Sequence, residues 1–525
     1  MEKRALIAIA ISFLILFLYQ LFFMKSEPQK SRQLPAKEKQ QPIPARHEVT
    51  KPGIPIPENT TFEEKEIKIE TDLYSAIFTS RGASLKYYAL KTYKDKNGEN
   101  VVLLKKPGLK PPLSIGSKED LELSDVNFNT YGKDLELNKI DKTGTLIFEY
   151  SHEGSTLKRT YTFYNDSFKI DIRDEVTGLP AYWITVGTEF GIYDSKNTSV
   201  HIGPVLLKEA DRIEFNAQKL NEQKSFHENL KWIAQEDKYF FASLVPLTPM
   251  EEARVWKLKD SPLIAFHSKQ EINNFILYAG PKEYDTLKAL NLGLEHIVDF
   301  GFFSIVAIPL FWILKFFYTL VGNYGWAIII LTLIVRIPFI PLVNKSQKSM
   351  KKMQEIQPKM AEIREKYKKD PQRMQKEMMD LYKKHKVNPI GGCLPILLQI
   401  PIFFALYKIL LIAIELRNAP FMLWIKDLSA PDTMFGHIPS WFPLIGGFAV
   451  GPLPILMGIT MIIQQKMTPT SLDPTQNKIM MLMPIIFTFL FLNFASGLVL
   501  YWLMNNVFSI IQQFYVNKKL AREAV

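Results

Sequence analysis

The 525-residue sequence predicts a two-part chain: a large all-β domain carried by a polytopic α-helical membrane protein. Three observations predict this. The mean hydropathy of −0.02 averages two unlike halves, residues 25–300 being mixed and polar and residues 301–515 largely apolar. The polar half alternates polar and apolar side chains between turn signals, the period-2 signature of half-buried strands. The apolar half is interrupted by one block, 344–390, with 14 Lys and Arg against 6 Asp and Glu, a net +8 out of +11 for the chain.

The chain opens "MEKRALIAIAISFLILFLYQLFFMK". Lys3 and Arg4 precede about 20 apolar residues, enough for a ~30 Å hydrocarbon core. No small-residue cleavage site follows, so residues 1–24 read as an uncleaved signal anchor with a cytoplasmic N-terminus. Residues 25–59, rich in Pro, Lys and Gln, cannot bury enough apolar area to offset their chain entropy and read as a tether. The single cysteine, Cys393, allows no internal disulfide.

Residues 60–285 read as the β domain. "KEIKIETDLYSAIFTS", "LIFEYSHEG", "LKRTYTFYND" and "FKIDIRDEV" alternate, and Asn97-Gly98, Glu153-Gly154 and Asn165-Asp166 supply turns. Many short alternating strands predict an antiparallel β-sandwich. His201, His227 and His267 are scattered and read as structural rather than as ligands. The domain shows no Cys/His metal cluster, P-loop or G-x-S-x-G.

Candidate spans follow at 325–343, 393–416, 453–467, 478–494 and 497–515. The run "FGFFSIVAIPLFWILKFFYTL" at 300–320 is a further candidate, and topology decides against it. Short, strongly basic loops stay in the cytoplasm. With the N-terminus inside, one span before the β domain and one after it bring the 344–390 block inside. Residues 300–320 are therefore expected to lie in the outer interface, with Trp312 and Lys315 at headgroup level. Six spans with both termini cytoplasmic result, and 417–452 lies outside.

The basic block carries apolar residues at helical spacing: Met350, Met353, Ile356, Met360, Ile363 and Tyr367, then Met374, Met378, Leu381 and His385. Asp370 is a suitable N-cap and Pro371 a suitable first helical residue. A helical hairpin over 345–388 is predicted, its first helix kinked at Pro358. Either it is a solvated basic hairpin that sets topology, or it docks acidic lipid, RNA or a partner protein on Met-rich edges.

Arg336 interrupts "LTLIVRIPFIPL" roughly 11–12 Å from the inner boundary at 1.5 Å per residue. A guanidinium stays protonated there and is costly in hydrocarbon. Either it snorkels to the inner interface, or it lines a wet cavity. Gln399, Gln464, Gln465, Asn505, Asn506, Gln512 and Gln513 also favour middle or inner positions, and the outer halves are purer, with Lys408 and Thr488 as exceptions. That bias suggests a cavity open to the cytoplasm. No acidic residue shares those inner halves, which makes Arg336 a candidate docking point for a visiting carboxylate. Two other classes stay open on these residues: a transporter, which would show inverted repeats and paired intramembrane carboxylates, and a membrane-anchored carbohydrate-active enzyme, which would need a close carboxylate pair.

"LTLIVRIPFIPL", "KVNPIGGCLPILLQIPIFFALY", "ELRNAPFMLWIKDLSAPD" and "MMLMPIIFTFLFLNFASGLVLYW" resemble the YidC membrane-protein insertases and their Oxa and Albino relatives. The resemblance runs through 300–515, and the anchor plus β domain match the Gram-negative form. It implies an insertase and chaperone, not an enzyme, with no cofactor or metal. It implies five core helices (323–515) around a hydrophilic groove, an interfacial helix within 286–322, a periplasmic β-supersandwich over 60–285 and a short basic tail at 516–525. Groove residues would be Arg336, Thr332, Gln399, Asn505, Tyr501 and Trp502. A substrate slide would be lined by Leu397, Ile400, Phe403, Ile485 and Leu490. Implied partners are nascent inner-membrane proteins, the Sec translocon, membrane lipids, and the ribosome and targeting machinery at the hairpin, with no sequence-specific nucleic acid. The implied location is the bacterial inner membrane.

Overall fold

The computed structural model describes residues 63–194, 200–385, 387, 394–442, 446–467 and 474–523, without the side chains of 394–398, 474–480, 519–521 and 523. The expected signal anchor and tether, and Gly391, Gly392 and Cys393, lie outside these residues. Two compact units divide the chain at Val298/Asp299.

The first unit contains three sheets. A nine-stranded sheet runs, edge to edge, Asp211–Glu214, Gly203–Lys208, Leu230–Glu236, Phe240–Pro246, Ile272–Pro281, Lys169–Thr177, Ser155–Tyr164, Thr143–His152 and Asn129–Thr130, all antiparallel. A five-stranded sheet holds the segments from Glu66 to Leu104, with Leu135–Glu136 added parallel at its edge. A second five-stranded sheet holds Lys224–Phe226, Glu252–Leu258, Ser261–Ser268, Tyr182–Thr185 and Ile115–Gly116. The predicted alternation is present: Leu157, Arg159, Tyr161 and Phe163 all face inward on one strand. The Glu153-Gly154 turn closes a two-residue hairpin, with φ of 46° and 79° and His152 opposite Ser155. Both central residues take positive φ, as the twist of the flanking strands requires.

That inward face carries both smaller sheets. Phe78 of the first packs on Tyr161 and Phe163, with ring centroids at 4.7 and 5.3 Å. Tyr182 of the second stacks on Phe275 at 6.4 Å. Sequence reasoning did not anticipate what lies between them. Arg159 and Asp174 form a fully buried ion pair at 2.6 Å. Arg159 also donates to the Leu113 carbonyl at 2.7 Å, and the Tyr182 hydroxyl donates to Asp174. A buried pair needs such extra partners, because desolvation of two ions otherwise outweighs their attraction. His201 and His227 contact backbone carbonyls, and His267 lies against Trp183. A short helix, α1 (Tyr284–Ala289), ends the unit.

The second unit is helical: α2 (Ser304–Val321), α3 (Tyr324–Arg336), α4 (Ile340–Glu355), α5 (Gln357–Lys366), α6 (Pro371–Lys384), α7 (Leu394–Ile412), α8 (Pro452–Met467), α9 (Pro474–Phe491) and α10 (Ser496–Glu523). Gly322, at φ +65°, ends α2, and Asn323 caps α3 by accepting from the N–H groups of Gly325 and Trp326. A 3-10 turn at Ile337–Phe339 joins α3 to α4. Pro338 and Pro341 lack the N–H that a regular helix would use there. Two stretches are long and apolar enough to cross a membrane, Ser304–Val321 and the composite Tyr324–Glu355; α7 and α9 contain shorter apolar segments, Gln399–Ile412 and Met481–Phe491.

Over the basic block the chain forms α4, α5 and α6. The kink falls at Ile356, with Pro358 in the first turn of α5, and Asp370 caps α6 by accepting from the Arg373 N–H at 3.1 Å. Its methionines play a different part from the one expected. Met353, Ile356, Met360 and Val387 are buried together, with Met378, Leu381 and Tyr382 packed against them. Much of the Met-rich edge is thus the hairpin's own core rather than an open docking surface.

Candidate functional site

Arg336 is the last residue of α3, immediately before the proline-bearing turn. The break directs its side chain towards α10. Nη1 donates to the Asn505 side-chain oxygen at 2.8 Å and to the Asn505 carbonyl at 3.1 Å. Nη2 and Nε donate to Gln512 Oε1 at 3.1 and 3.3 Å. Gln512 in turn donates to Asn344 Oδ1 at 2.8 Å and to the Ile340 carbonyl at 3.4 Å. Asn505 and Gln512 are seven residues apart, two helical turns, so both lie on one face of α10. The planar guanidinium spans them as a fork.

Every partner in this set is neutral. Among the described residues no carboxylate forms a salt bridge with Arg336, so its hydrogen bonds are satisfied while its charge is uncompensated. This refines the sequence expectation of a cation without a counter-ion: the charge is unpaired, and the N–H groups are not. Asn344 is the residue that sequence reasoning missed, and Gln512, counted there among the inner polar residues, was not named as a groove residue. The i, i+7 repeat of Asn505 and Gln512 was the available signal for Gln512, and only the α3–α4 break brings in Asn344.

The other expected groove residues divide. The Tyr501 hydroxyl is buried, hydrogen-bonds the Gln399 side chain and lies close enough to Arg336 to interact electrostatically. Gln399, Tyr501, Asn505 and Arg336 therefore form one polar group of side chains from α7, α10 and α3. Thr332 is buried one turn before Arg336, but its hydroxyl donates to the Ile328 carbonyl of its own helix at 2.7 Å. Trp502 turns away into an aromatic cluster, with ring centroids 5.0 Å from Phe403, 5.2 Å from Phe491 and 6.0 Å from Phe487. Neighbours on a helix project about 100° apart, so Tyr501 and Trp502 cannot share one wall. Asn506 likewise leaves the site and donates to Thr460 Oγ1 of α8 at 3.2 Å.

Of the expected slide residues, Phe403 is half-buried against Trp502, and Ile400 and Leu490 are half-buried. Ile485 is exposed within a stripe on α9 formed by Met481, Leu482, Ile485, Ile486 and Phe489. That spacing places all five on one helix face. The Leu397 side chain lies outside the described residues. Two further charges of the apolar region are paired: Lys408 with Asp299 at 2.9 Å, and Lys315 with Glu415 at 3.4 Å.

A fixed, uncompensated cation beside buried hydroxyl and amide groups can attract an anionic group without committing to one ligand. The exposed apolar face of α9 can accept a greasy segment.

The chain is similar to known proteins along most of its length. A family model described as "60Kd inner membrane protein" matches residues 316–523, and one described as "YidC periplasmic domain" matches residues 66–313. A protein of Pelobacter propionicus described as "Membrane protein insertase YidC" is 38% identical over 554 residues, covering 99% of both chains. One of Syntrophus aciditrophicus with the same description is 39% identical over 566 residues, covering 99% of this chain and 100% of its own. A solved structure described as "Active YidC insertase crystal structure with the first transmembrane domain resolved" covers 98% of this chain and 100% of its own at 20% identity and a TM-score of 0.40.

Proposed function

The chain belongs to the family of YidC membrane-protein insertases, and on that premise we propose that it inserts its substrates by holding their polar flanks at Arg336 while their apolar segments leave along α7 and α9. Family membership makes it a membrane insertase rather than an enzyme, which leaves the catalytic and transporter readings without support. No nucleotide site is needed for the proposed route, since burial of a substrate's apolar helix in lipid is itself favourable. The barrier is the transfer of the polar flank, and a wet cavity reaching part-way across the membrane shortens that path.

The observation that carries this reading is the Arg336 fork: a guanidinium oriented by Asn505 and Gln512, with no carboxylate paired to it among the described residues. Tyr501 and Gln399 extend its polar surroundings. Phe403 and Ile485, on α7 and α9, are the proposed first contacts of the departing helix. We assign the chain six spans with both termini cytoplasmic, and α2 to the outer interface. One-sided burial of α2 through Ala307, Leu310, Phe311 and Leu314 supports the interfacial position. Exposed Lys and Arg on the hairpin, among them Lys352, Lys359 and Lys366, suit contact with the ribosome or targeting machinery. Nascent chains arriving from the Sec translocon are the second proposed source of substrate.

Site-specific photocrosslinking tests the route. Probes at Phe403 and Ile485 are expected to capture the apolar segment of a stalled nascent membrane protein. Capture by probes on the β domain alone would overturn the assignment.

A further inference from the structure

The connection between α7 and α8 contains a segment that the insertion route does not use. From Thr433 to Gly451 it has no Asp, Glu, Lys or Arg, and His437 is its one ionisable side chain. Its described parts, 433–442 and 446–451, nevertheless pair with one another. The Phe435 N–H donates to the Val450 carbonyl at 2.9 Å and the Val450 N–H to the Gly436 carbonyl at 2.9 Å. The Ile438 N–H donates to the Phe448 carbonyl and the Gly447 N–H to the Ile438 carbonyl, both at 2.8 Å. The base is tied down through Asp432, whose carboxylate accepts from the N–H groups of Met434 and Leu453 and from the Trp424 indole. Those ties position an apolar tip: Trp441 is 78% exposed, Phe435 61%, Met434 56% and Phe442 43%.

An aqueous loop rarely presents such a set. Three features identify its occupant as lipid. Backbone groups bonded within the hairpin can enter a poorly hydrated layer at low cost. Trp and Phe without neighbouring charge suit the headgroup–acyl boundary, whereas a protein-binding patch ordinarily carries a polar rim. The surface is also continuous along the chain with a membrane helix: α8 begins at Pro452, and its outward stripe of Ile455, Leu456 and Ile459 starts five residues after Val450.

We propose that the paired segments 433–442 and 446–451 form an interfacial anchor that sets Met434, Phe435, Trp441 and Phe442 into the adjacent leaflet of the bilayer. The proposal rests on the reading that α7 and α8 span the membrane. The anchor would fix the depth at which α8 begins, at Pro452.

Depth-dependent quenching tests this on the full-length protein in phosphatidylethanolamine–phosphatidylglycerol vesicles. In a Cys393→Ser background, an environment-sensitive fluorophore is attached at Trp441→Cys, at Ile459→Cys on α8, and at Ile140→Cys, an exposed site of the β domain. The label at 441 is expected to be quenched at least threefold more by lipids spin-labelled near the headgroup than by aqueous iodide, with Ile140→Cys showing the reverse. Iodide quenching at 441 with lipid quenching retained at 459 would overturn the anchor. Protection of 441 from both quenchers would overturn it in favour of a protein-covered surface. Iodide quenching at both 441 and 459 would overturn the membrane reading itself, and the anchor with it.

Discussion

Charge and geometry at Arg336 can be separated, because its partners are neutral. A carboxylate about 8 Å away gains about 2 kcal/mol from the guanidinium at an effective dielectric near 20, and about 0.5 kcal/mol at the dielectric of water. A half-buried, wet site falls between these, near 1.4 kcal/mol, or about tenfold in rate or occupancy. Arg336→Ala should therefore slow insertion of an acidic-flanked substrate by about tenfold. Arg336→Lys retains the charge, but one ammonium cannot span Asn505 and Gln512, which lie about 10.5 Å apart along α10, so a loss of about twofold is expected. Gln512→Glu retains the acceptor and places a carboxylate against the guanidinium, which neutralises it; its loss should approach that of Arg336→Ala. The assay is insertion into proteoliposomes of two substrates that differ only in Asp or Asn at the flank. Equal losses for both substrates, a Lys variant as poor as Ala, or an undiminished Gln512→Glu would refute the electrostatic reasoning.

Two predictions concern the β domain. Asp174→Asn leaves the Arg159 charge buried without its counter-ion and should cost about 3–5 kcal/mol, whereas a double replacement by Met and Leu should cost much less; denaturant melts of the domain's tryptophan signal in the full chain distinguish them. Glu70 is pushed up by partial burial, but hydrogen bonds from Lys68, Lys91 and Ser75 outweigh this and hold it at about 2. A carboxylate below its ordinary range contributes stability above that range and loses it as pH falls towards its folded value. Glu70→Gln should therefore flatten the fall in melting temperature between the ordinary carboxylate range and about pH 2; an unchanged slope would show that the hydrogen bonds carry no net linkage.

The sequence by itself determined whatever depends on periodicity and local chemistry. Alternation along Ser155–Tyr164 identified strands, Glu153-Gly154 a tight hairpin, and Asp370-Pro371 the start of a helix, because each is decided within a few residues. Apolar spacing over 350–385 marked helices in the basic block, and long motifs carried the family. What joins distant elements was decided only by the tertiary structure. The Arg159–Asp174 pair forms because three sheets meet over it, and a period-2 pattern cannot distinguish a buried arginine from an exposed one. Gln512 and Asn344 enter the site because proline breaks α3 from α4 and turns Arg336 onto α10. Tyr501 and Trp502, adjacent in sequence, part because a helix rotates about 100° per residue. Met353 and Met360, legible as an apolar edge, become core because the hairpin closes on them. Local rules state which face of an element is apolar, and only packing decides what that face meets.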